Sequence, residues 1–148
     1  YYLFVKKLKT MNLTLFFRLI LMSIFQTGVT SGKKSYFDTA MSYSNQFFFC
    51  PKIIAKDGFS MSCQINNGNY CSSENGYQIF GHTIKTVEWG FPNQNEELLA
   101  SSAESPENIT ESVGSISIEQ LEQIFEKHGG IDWEATISIQ AFERLVKS

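Results

Sequence analysis

Phe59, Met61, Cys63 and Ile65 are apolar, and Ser60, Ser62 and Gln64 between them are polar. A period of two marks a strand with one face in a core and the other in water. Asp57-Gly58, just before it, is a favoured pair for a tight hairpin turn because glycine tolerates positive φ. Residues 48–55 supply the partner strand, and Asn66-Asn67-Gly68-Asn69 ends the hairpin in another turn. Residues 77–80 and 82–91 are rich in β-branched and aromatic side chains and predict further strand. Gly81 breaks this run with a bulge or turn, and Pro92 stops it. Asn93 is the predicted cap of a helix through Glu96, Glu97, Leu98 and Leu99. The polar stretch after it, residues 101–112, has no apolar period and reads as a connector.

The pattern changes near the C-terminus. Ser117 followed three residues later by Gln120 is a capping-box arrangement. Ile118, Leu121, Ile124 and Phe125 then share one face at helical spacing, and Lys127 and His128 fill the last turn before Gly129-Gly130. His128 there suits the negative end of the helix dipole. A second helix is predicted over residues 138–147. Strands first and helices after define an α+β fold: a small antiparallel sheet, with a hairpin around Asp57-Gly58 and strands in 77–91, packed by C-terminal helices.

Residues 1–40 follow a different plan. Lysines flank an apolar run from Leu13 to Phe25, with small residues near Val29-Thr30-Ser31, as in a secretory signal. Arg18 interrupts the run, and the run is shorter than the roughly 20 residues that span a bilayer, so no membrane span is predicted. The stretch equally resembles an upstream frame translated from before a start codon, with Met11, Met22 and Met41 as starts. The domain division expected is therefore residues 1–40 as leader or untranslated upstream frame, and 41–148 as a single small domain. A body beginning at Met41 implies the bacterial cytoplasm and free thiols; a translated signal implies a secreted or envelope-associated protein.

Charge sharpens this division. Of 148 residues, the first 40 carry six Lys/Arg and one acid, and the rest six Lys/Arg and fourteen Asp/Glu. A net +5 leader thus precedes a net −8 body. The acidic body repels phosphate backbones and argues against nucleic acid as partner. At 43% apolar and 18% charged, the composition is that of a globular chain.

Candidate chemistry is sparse. Cys50, Cys63, Cys71 and His82 make a zinc ligand set on paper, but with no close pair of the C-x-x-C kind, so no metal is expected. Cys63 falls on the apolar stripe of its strand, where a thiol acts as a small hydrophobe, and Cys71 starts a loop. Cys71 and His82 are the one nucleophile–base combination available, with no local feature that would activate the thiol. Glu88 alternates with Val87, Trp89 and Phe91 and belongs on the wet face. "FEKHGGIDWEATISIQAFERL" has the rhythm of a helix–loop–helix calcium unit, yet Gly130, Ala135 and Ala141 stand where the loop needs carboxylate, glycine and carboxylate. Calcium is excluded, and no cofactor is implied.

Between Asp57 and Ile131 the elements "SMSCQ", "NYCS", "VEWGFP", "AESP" and "KHGGI" occur in an order that resembles a type of short, uncharacterised protein from tailed-phage genomes. The chain departs from that pattern in reading "SVGSISIEQ" where a "VYGYVP"-like segment belongs. The resemblance implies a small phage accessory protein and brings no activity or site residues with it. The function expected is a non-enzymatic protein-interaction module of phage or mobile-element origin, monomeric or weakly dimeric, acting in the infected bacterial cytoplasm. Its sharper variant is an acidic decoy for a basic groove. The expected contact surface is Trp89, Phe91, Glu96 and Glu97, aromatic anchors beside steering acids; set against it is the more ordinary reading in which Trp89 and Phe91 pack beneath the C-terminal helices. An exported protein and a cysteine or zinc-dependent enzyme are the alternatives.

Overall fold

The computed structural model describes residues 6, 8–30, 50–65, 70–79 and 82–137. Its frame is a five-stranded antiparallel sheet: β1 (Ile53–Ile54), β2 (Ser60–Gln64), β3 (Ser72–Ser73), β4 (Ile84–Gly90) and β5 (Val113–Ser117). β4 is the central strand. β2 and β3 share one of its edges, with Cys63 opposite Trp89 and Ser72 opposite Thr86, and β5 takes the other, with Val87 opposite Ile116. The α+β architecture read from the sequence is the one the chain adopts.

The hairpin forms where the Asp-Gly pair stands. Ile53 faces Met61 across it, Gly58 adopts φ +93, and Asp57 Oδ1 accepts the Phe59 amide at 2.9 Å. Alternation then puts Met61 and Cys63 in the core and leaves Ser60, Ser62 and Gln64 half-buried. Among the described residues of the 77–91 stretch the strand covers 84–90, and Gly81, where a bulge or turn was expected, lies outside the described residues. The edge strand β3 lies instead in a segment whose serines and acids read as loop.

The α-helices with defined bounds are α1 (Leu13–Thr30), α2 (Ile118–Lys127) and α3 (Trp133–Thr136). The capping box at the start of α2 is complete, with both the Ser117 side chain and the Gln120 side chain engaged. Gly129 and Gly130, at φ +88 and +95, end the helix as predicted. The helix expected over 138–147 lies outside the described residues. The helix expected from Asn93 is replaced by a 3₁₀ helix over Glu97–Ser102. Asn93 does not cap it, because its side chain is committed to the hairpin: Oδ1 accepts the Ser60 amide at 3.0 Å and Nδ2 donates to Gly58 O at 2.9 Å.

The stretch with a leader-like composition forms α1. Asn12 caps it, accepting the Leu15 amide on Oδ1 at 2.8 Å. Leu13, Phe16, Phe17, Ile20 and Leu21 recur at the helical spacing of a single apolar face and are buried in the same core as the sheet; Arg18 points to solvent. Phe16 packs on Trp133 of α3, ring centroids 5.3 Å apart. Among the described residues no helix is long and apolar enough to cross a membrane.

The 3₁₀ helix packs against β5, and Ala103, just after it, bridges Gly114. Trp89, fully buried, donates from Nε1 to Ser102 Oγ at 2.9 Å. Gly114 of β5 lies under the Ser102 carbonyl so closely that a Cβ would overlap it. Glycine is required there by the approach of another backbone.

Candidate functional site

The end of α2 meets the hairpin turn. His128, the residue that closes the helix, is 7% exposed, and its ring stacks on Phe59 with centroids 4.2 Å apart and planes 10° from parallel. Nδ1 lies 2.6 Å from Asp57 Oδ2 and Nε2 lies 3.1 Å from Glu96 Oε1. Glu96 is itself 2% exposed, and Lys127 Nζ donates to its Oε2 at 2.8 Å. Lys127 also reaches Glu97 Oε1 at 3.6 Å. Three segments distant in sequence are thereby tied by one chain of polar contacts: hairpin turn, entry to the 3₁₀ helix, and end of α2.

The electrostatics follow from the contacts. The Phe59 amide, and after it His128, hold the Asp57 carboxyl below its ordinary value. Glu96, and less strongly Glu97, raise the Lys127 ammonium. Chemically the arrangement is a tie. Each imidazole nitrogen is already engaged by a carboxylate, so the ring presents no vacant nitrogen to a substrate.

The four residues expected to form the contact surface do not share one. Trp89 is in the core, bonded to Ser102, and Glu96 is buried against His128 and Lys127. Phe91 and Glu97 face solvent. Phe91 was expected to continue the Val87–Trp89 face of the strand. It does not, because β4 ends at Gly90 and Phe91 takes φ +51, which turns its ring outward to 62% exposure while Pro92 is buried. Leu98, 46% exposed, follows Glu97 on the 3₁₀ helix. Glu88, half-buried, accepts the Tyr70 amide on Oε2 at 3.0 Å.

The cysteine chemistry is equally specific. All three thiols are buried, Cys71 included despite its loop-like sequence. Burial pushes Cys50 up to about 12 and Cys71 up to about 11, the latter helped by the charge of Glu88, and raises Cys63 as well. A thiol kept protonated in this way is a poor nucleophile. His82 is turned toward Glu74, 3.6 Å from Nδ1, and Asn75, 3.4 Å from Nε2. Among the described residues no three His, Cys, Asp or Glu side chains are arranged to hold a metal ion.

Comparison with protein-family models, curated proteins and solved structures gives no match. The class of the chain is thus defined by its own architecture, a small α+β protein built on a five-stranded antiparallel sheet. The His128 cluster was missed by sequence reasoning, although a signal for it existed. Lys127-His128 puts an ammonium and an imidazole at the end of a strongly amphipathic helix, where polar partners are needed if the helix end is buried. Its partners are 31, 32 and 71 residues away, and nothing local names them.

Proposed function

We propose that the chain is a non-enzymatic protein-interaction module, a small accessory protein of phage or mobile-element type, with a contact surface built on Phe91, Glu97 and Leu98. Phe91 carries this reading. It is a large apolar side chain, 62% exposed, on a backbone at φ +51. A bulky residue in that region costs about 1–3 kcal/mol, and such strain concentrates at functional positions. Glycine would fit the backbone better, so the presence of a phenyl ring in water points to a ring that is used. Glu97 and Leu98 add an acid and a second apolar group in the next exposed segment, and aromatic anchors with charged neighbours suit a protein partner. The net −8 of residues 41–148 favours a basic one. The phage-type assignment rests on the motif order between Asp57 and Ile131.

The test separates binding from folding. Phe91→Gly removes the ring and suits the backbone, so thermal stability should hold or rise. Partners recovered from host lysate by the unaltered chain should be lost by Phe91→Gly, weakened by Glu97→Lys, and released as salt rises. Retention of every partner by Phe91→Gly, or no partner at any salt, overturns the proposal.

A further inference from the structure

We propose that Asp57, Glu96, Lys127 and His128 form a proton-dependent latch, closed around an imidazole protonated on both ring nitrogens and loosened when one proton leaves. Hydrogen-bond accounting carries the step. An ionised carboxylate only accepts, and each ring nitrogen faces one, at 2.6 Å and 3.1 Å. Two acceptors are matched by two N–H donors only in the imidazolium. The remaining oxygens are already committed, Asp57 Oδ1 to the Phe59 amide and Glu96 Oε2 to Lys127. With the ring charged, the four side chains balance two positive and two negative charges. With the ring neutral, a nitrogen lone pair meets a carboxylate, a mismatch that costs most on the Glu96 side, where both groups are buried, and less on the Asp57 side, where the carboxylate is half exposed.

The surrounding charges are few. From the hairpin turn Lys56 runs beside Gly129 and Gly130. From the 3₁₀ helix Glu97 faces Lys127, and from α2 Glu126 is exposed. From the cap of α3 Asp132 is turned to the Ala135 amide. The carboxyl end of α2 itself favours a cation at His128. At the same junction the Lys56 amide donates to Gly130 O at 2.9 Å and the Asp57 amide to His128 O at 3.3 Å. These two amides report opening. Because the charged ring closes the latch, protection is present at lower pH and lost as pH rises through the titration of the ring.

The experiment follows the His128 ring by NMR on the full chain while measuring hydrogen-exchange protection factors at Lys56 and Asp57. Protection should fall about tenfold as the ring becomes neutral, the size expected for losing one charge-assisted hydrogen bond. In His128→Gln the step should vanish. In Glu96→Gln it should flatten or reverse, because the carboxamide oxygen is needed by Lys127 and its NH2 then faces Nε2, which suits the neutral ring. Unchanged protection in the unaltered chain across the ring titration overturns the latch, as does the same step in His128→Gln. Should that variant fail to fold, an undiminished step in Glu96→Gln does so.

Discussion

Glu96 and Glu97 are neighbours in sequence with opposite fates. Glu96 is inside the protein, bonded to an imidazole and an ammonium, and Glu97 is outside, 3.6 Å from the same ammonium. Removing one partner from a buried charge cluster leaves the others unmatched, whereas an exposed ion pair contributes little. Glu96→Ala should therefore cost about 3–5 kcal/mol in urea unfolding, and Glu97→Ala less than about 1 kcal/mol. A pair of equal costs would place the two acids in equivalent surroundings and contradict the cluster. Sequence alone could not separate them, since both read as acids at the start of a helix. The difference is made by Lys127 and His128, some thirty positions further on. Phe91 is illegible for another reason. Strand alternation assigns it to the core, and only the left-handed turn after Gly90 puts it in water.

At the scale of elements, legibility followed locality. The hairpin turn, the alternating β2 and the capping box of α2 all depend on residues within a few positions of one another, and all three are present. β5 was not read as a strand, because five residues containing a glycine carry little period and its identity comes from pairing with β4. The 3₁₀ helix likewise replaced an α-helix because Asn93, its expected cap, was drawn to the hairpin. Two substitutions measure these elements. Ser117→Ala removes the cap of α2 and should cost about 1 kcal/mol in denaturant melts. Gly114→Ala should cost more, about 2–4 kcal/mol, because its Cβ collides with backbone rather than with a side chain that could move. If Gly114→Ala is neutral, the 3₁₀ helix does not lie on β5 as described.

The whole molecule adds a dependence on pH and on its two ends. Asp57 is held below its ordinary 3.8, so its contribution to stability is present above that value and lost as pH falls through the folded one. Lys127 is raised above 10.5, so its contribution is present below that value and lost as pH rises through the folded one. Thermal unfolding followed against pH should decline at both extremes, and Asp57→Asn should remove part of the acid decline. An acid limb identical in Asp57→Asn would assign the loss to other carboxylates. The first turns of α1 are integral to the packing: Phe16 is fully buried against Trp133, and Phe16→Ala should cost about 3–5 kcal/mol by calorimetry or denaturant. A near-neutral result would detach α1 from the core. Its apolar face at spacings of three and four was visible in the sequence, but composition and flanking lysines made the stretch resemble a leader.

The Phe16–Trp133 contact also sets a timetable. A chain leaves the ribosome from its amino end at roughly 5–20 residues per second. Phe16 is made well over a hundred residues before Trp133, so α1 emerges with its apolar face lacking the partner that covers it. The central strand β4 waits likewise, since β5 follows it by more than twenty residues. Closure is thus deferred until residue 133 has left the ribosome, and the nascent α1 spends that interval with its apolar face uncovered. Ribosome-stalled chains cut before residue 133 should remain sensitive to protease within α1, and chains extended past it should become resistant.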